Sequence, residues 1–198
     1  METNDLYSDE QFEPCLSIAP SDAAKRLYWV LHGSSGSVNV LNRQCNPDGP
    51  RETYADRHPI AHEPATAPQV AILTVGEDSL NYWQDEWWTI NQEGYDEDVQ
   101  PDPDEEPPLF KPLTIVASNG SFITINDYVS ALHPWLIQRL DLILRAKFVW
   151  DDHYTRDHSA SWLVGLGRPA LVRVEEKDNW HEMFRRRYEQ SKNGPSQG

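Results

Sequence analysis

Seven histidines, two cysteines and several crowded carboxylates are the residues of this chain with chemistry in them. Three short runs gather most of them. The first is YWVLHGSSGS, Tyr28 to Ser37. An apolar stretch running into His32 and a Ser/Gly loop is one way a hydrolase opens the loop that holds an oxyanion, with histidine as base and serine as nucleophile. That chemistry also needs a nucleophile elbow, G-x-S-x-G, on a turn from strand to helix. Gly33-Ser34-Ser35-Gly36-Ser37 misses the pattern by one position, because Ser37 stands where the second glycine belongs. A strand followed by a polar turn is the plainer reading.

HPIAHE, His58 to Glu63, is the most metal-like run. His58 and His62, four apart, share one face if the run is helical, and Glu63 adds a carboxylate, a donor set that suits zinc. No cysteine stands near, and the surroundings read as loop, so a polar loop containing histidines competes with a metal site. DDHYTRDH, Asp151 to His158, places His153 and His158 beside Asp152. A carboxylate that orients an imidazole raises its basicity and can serve general acid–base catalysis. The five-residue spacing does not align on a helix, so a solvated loop is the competing reading.

Binding chemistry is the alternative to catalysis. Trp83, Trp87 and Trp88 cluster beside Asp85 and Glu86, and Glu93 to Pro108 holds eight acids and four prolines. Asp96, Glu97, Asp98, Asp102, Asp104, Glu105 and Glu106 make that stretch an electrostatic attractant. The three tryptophans are either core or interface anchors. The charge of the whole chain points the same way. At a formal net charge of -15, with thirteen acids and no Lys or Arg between His58 and Phe110, the molecule repels phosphate backbones and anionic lipid surfaces. A basic protein partner suits it. No cofactor is expected, and direct binding to nucleic acid or membrane is not.

The elements that would carry these residues are partly legible. With 198 residues, 38% hydrophobic content and a mean hydropathy of -0.68, the chain reads as one folded domain with polar extensions. The boundaries expected are an acidic tail over 1–20, a single domain over 21–192, and a short tail over 193–198. Within the domain, 46–68 reads as a loop and 93–108 as an acidic insertion. The stretches 60–68 and 94–108 are expected to be exposed and mobile. Eight tryptophans exclude wholesale disorder. VAILTV, Val70 to Val75, is a buried strand bounded by Pro68 and Gly76. Helix and strand both fit 22–31 and 80–90.

LTIVASNGSFITI reads as a hairpin around Asn119-Gly120, followed by a helix that Thr124 and Asp127 would cap. Pro134 would kink that helix or start a second one. Ile115, Phe122, Ile125, Trp135, Leu140 and Leu144 are the expected core. WLVGLG and PALVRVEE are two further strands, and a last helix starts near Asp178 with Trp180, Met183, Phe184 and Tyr188 on its buried face. The class is α+β, a mainly antiparallel sheet with two to four helices on one face.

FITINDYVSALHPWL, preceded by PPLFKPLTIVAS, resembles a recurrent pattern in proteins of filamentous fungi that carry no assigned activity. The resemblance covers roughly residues 107–150 and transfers no catalytic residue. It implies a eukaryotic intracellular setting. The acidic N-terminus and the lack of a long apolar run suit the cytoplasm or nucleus, with Cys15 and Cys45 reduced. Three functions are therefore in competition: a non-enzymatic protein acting by protein–protein contact, a small enzyme using His32, His153 and His158, and an acidic mimic of nucleic acid.

Overall fold

The computed structural model describes residues 17–31, 38–55, 58–92, 106–149 and 161–193. Nine strands appear there: β1 Ala19–Pro20, β2 Leu27–Trp29, β3 Val38–Leu41, β4 Arg51–Thr53, β5 Thr66–Ala67, β6 Ile72–Glu77, β7 Leu113–Val116, β8 Trp162–Arg168 and β9 Leu171–Glu176. The central sheet has the order β7-β6-β9-β8, antiparallel except where β6 meets β9. A second sheet, β2-β3-β4, joins its β8 edge through a bridge between Val30 and Leu163 and a bond from the Leu31 N–H to the Trp162 carbonyl at 2.8 Å. The third, β1-β5, is a two-stranded antiparallel pair.

Why β2 and the two residues after it run extended follows from what lies on each side. Leu27, Trp29 and Leu31 enter one buried cluster, while Tyr28 and Val30 enter another. A strand buried on both faces reads as a continuous apolar run, so its period of two is hidden in the sequence. Helix within 22–31 is confined to a 3₁₀ turn over Ala24–Arg26, where the Ser21 hydroxyl accepts from the Ala24 N–H at 3.0 Å.

Three helices complete the fold: α1 Asp78–Gln92, α2 Ile125–Lys147 and α3 Lys177–Asn193. In α1 the period of Leu80 and Trp83 prevails over the β-rich composition of residues 80–90, because both side chains reach the main core. Thr124 and Asp127 form the expected capping box, each side chain accepting from the other's backbone N–H at 3.0 Å. Pro134 neither starts a helix nor ends one, since α2 runs through it. Its ring deprives the Ser130 carbonyl of a donor, and both residues are exposed, so that carbonyl is open to solvent.

The α+β class is as expected; several details are not. α1 and α2 supply the main core, whereas Trp180 of α3 packs with Tyr28, Leu41 and Leu163. Neighbouring residues of β2 and β8 point to opposite sides, so α3 lies on the other face of the sheet from α1 and α2. Nor is there a hairpin at Asn119-Gly120. Gly120 does adopt the left-handed conformation, with φ at 70°, but the Asn119 side chain accepts from the N–H groups of Ser121 and Phe122 and turns the chain onward into α2. β7 pairs with β6, while Ala117 and Ile123 both bond back to residues 70–71.

The stretch 60–68 also departs from expectation. Ile60, Ala61, Ala65 and Thr66 are buried. Its backbone is tied to the entrance of α2: Ala65 donates to Ile123, Ile125 donates to Glu63, and Pro64 bridges Thr124. Apolar burial and satisfied backbone groups hold this loop in place. Of the expected core, Ile115, Ile125, Trp135 and Leu144 are in the main cluster, Leu140 packs at its margin, and Phe122 is half-buried outside it.

Candidate functional site

His32, Asp152, His153 and His158 lie outside the described residues, as do Asp96, Glu97, Asp98, Asp102, Asp104 and Glu105; Glu106 is exposed. His58 caps the 3₁₀ turn Pro59–His62, its Nδ1 accepting from the Ile60 N–H at 3.2 Å. Its Nε2 meets Glu52 at 3.1 Å. With both ring nitrogens engaged, His58 does not converge on His62 and Glu63, which are exposed. Among the described residues no group of three or more His, Cys, Asp and Glu is arranged to hold a metal ion.

The tryptophan cluster divides. Trp83 is fully buried, Trp87 is half-buried, and Trp88 is 52% exposed. Trp83 is therefore core and is withdrawn as an anchor. At 100° per residue the outward face of α1 runs from Trp88 through Asp85 and Thr89 to Tyr82, which is 57% exposed. The Glu86 carboxylate beside the Tyr82 hydroxyl pushes that phenol above its ordinary range. α1 contains no Lys or Arg, and the acidic stretch begins where it ends. An acidic face with two exposed aromatics can attract a basic surface and then anchor on it.

A second polar cluster joins elements that the sequence holds far apart. The Tyr28 hydroxyl meets His181 Nε2 at 3.2 Å, and Asp48 lies 3.8 Å from His181 Nδ1. Arg185 donates twice to Asp48, at 3.1 Å each, and holds its carboxyl below the usual range. Burial, and then the Arg51 guanidinium, push His181 down. The hydroxyl–imidazole–carboxylate order is that of a proton relay, but Tyr28 is buried under Arg51, which sits 3.6 Å from its ring centroid. The cluster ties α3 to β2 and to the turn before β4, with the Tyr28 side chain buried in it. His133 is likewise used inside the fold, accepting from the Trp29 indole N–H at 3.0 Å.

Glu77, at the junction of β6 and α1, is buried. Its two oxygens accept from the N–H groups of Leu80 at 3.0 Å and Val174 at 3.3 Å. Burial pushes its carboxyl up to about 7 against these donors and the charge of Lys147.

Between α3 and the 3₁₀ turn Ala24–Arg26 lies a cavity of about 420 Å3. Cys45 is on its wall, half-buried, with φ at 54°. The Tyr28–His181–Asp48 cluster and the cavity around Cys45 carried no sequence signal, because each is assembled from segments distant along the chain.

Comparison of the chain with protein-family models, curated proteins and solved structures returned no match. No helix among the described residues is long and apolar enough to cross a membrane.

Proposed function

We propose that this protein is non-enzymatic and acts by contact with a basic protein partner through α1 and the acidic stretch that follows it. The observation that carries this reading is the outward face of α1, where Tyr82 and Trp88 stay more than half exposed around Asp85 on a helix without a single cation. Tryptophan and tyrosine dominate interface energetics, so an exposed pair on one helix face is a ready anchor. The setting that fits is the cytoplasm or nucleus, where a free thiol such as Cys45 stays reduced.

Quantitative capture from native lysate tests this, comparing wild type, Trp88→Ala and a variant with Asp96, Glu97, Asp98, Asp102, Asp104, Glu105 and Glu106 neutralised. The neutralised variant should associate more slowly with the captured partner and show a flatter salt response. Trp88→Ala should leave association unchanged and speed dissociation by about thirtyfold, a loss of about 2 kcal/mol. The same captured set and the same kinetics for all three proteins would overturn the reading.

A further inference from the structure

The cavity beside α3 has a pattern that the composition does not predict. The chain carries 32 acids against 17 Lys and Arg, yet no carboxylate lines this space, and its two charged residues are Lys25 and Arg187. Its apolar lining includes Ala24, Leu27 and Leu166, which are buried, together with the half-buried rings of Phe184 and Tyr188. The lining is therefore mainly apolar, with two cations and no anion. Lys25 already shares its charge with Asp22 at 2.8 Å. Arg187 forms no ion pair among the described residues; its guanidinium leans over the Phe184 ring, 5.6 Å from the centroid.

We infer that this cavity is a binding site for a small amphipathic carboxylate of the medium-chain fatty acid class, with the carboxylate on Arg187 and Lys25 and the acyl chain against Leu27, Leu166 and Tyr188. Its volume is within the 300–1,000 Å3 typical of small-ligand pockets, and an apolar lining with few polar groups at one end is how such pockets fix orientation. Guanidinium binds carboxylate through paired N–H donors, so Arg187 supplies most of the recognition and Lys25 adds charge. Gly167 forms part of the wall beside Arg187. A Cβ there would meet only Arg187 Nη2, at 3.9 Å, so the position has room for a side chain beside Arg187.

Cys45 reports occupancy from inside the lining. Burial raises its thiol above the ordinary range, so alkylation is slow, which makes it easy to time. In a Cys15→Ser background, iodoacetamide labelling of Cys45 is followed by peptide mass spectrometry with decanoate, with decanol, and with an acidic aromatic peptide. Decanoate at ten times its dissociation constant should slow labelling by about tenfold, and decanol should not. Arg187→Gln should weaken decanoate binding by about tenfold, and Lys25→Gln by less. Gly167→Val should remove protection without lowering the melting temperature. Equal protection by decanol, no protection by decanoate, or protection by the peptide alone would each overturn the assignment.

Discussion

Glu77 is held by two backbone N–H groups in a position from which water is excluded, and the cost of desolvation is greater than what those donors return. The folded carboxyl binds its proton up to about pH 7, whereas the ordinary value is 4.5. Between these two values the unfolded chain releases a proton that the folded chain keeps. The Glu77 contribution to stability is therefore complete below 4.5 and is lost as pH rises through 7. Melting temperatures of wild type and Glu77→Gln across pH 4 to 8 check this. The wild-type advantage should shrink as pH rises and level off above 7, with a span on the order of 3 kcal/mol. A constant difference would mean that Glu77 ionises normally in the folded protein.

α1 shows at the level of an element how one helix separates structural from contact residues. Trp83→Ala should cost about 3–5 kcal/mol in urea unfolding, because it empties a site with no exposure. Trp88→Ala should change stability by less than about 0.5 kcal/mol. Equal losses would place both rings in the core. Thr124→Ala, which removes one arm of the capping box, should cost about 1 kcal/mol. That box was legible from sequence because its partners are three residues apart. Asn119-Gly120 misled because a turn dipeptide fixes only a local bend; the partner of β7 is β6, chosen by Leu73 and Val75 pairing across to Ile115 and Leu113. Leu27 to Leu31 gave no period because both faces are covered. The same distance in sequence hid Tyr28, Asp48 and His181, while the exposed aromatics of α1 were visible as candidates from their spacing.

On the scale of the whole molecule, the loop before β6 acts as a fastener for the entrance of α2. Amide hydrogen exchange should find Ala65, Ile123 and Ile125 protected to within about tenfold of Leu73, since their N–H groups are bonded across segments some sixty residues apart. Fast exchange at all three would return 60–68 to the mobile loop read from its composition. Protection there together with slow exchange at Trp180 would show that the two faces of the sheet open as one unit. The strand that joins those faces, β8, has a further consequence. Trp162, Val164 and Leu166 belong to one core and Leu163 to the other, and the Trp180 indole donates to the Val164 carbonyl at 3.2 Å. A mis-threaded β8, slipped by one position, would turn Trp162 into space already filled by Tyr28 and Trp180 and leave the main core a ring short. The irregularity between Gly165 and Arg168 confines the slack to the end of the strand, after the regularly paired stretch from Trp162 to Gly165. β8 thus proofreads its own alignment, because an error on one face is penalised at once on the other.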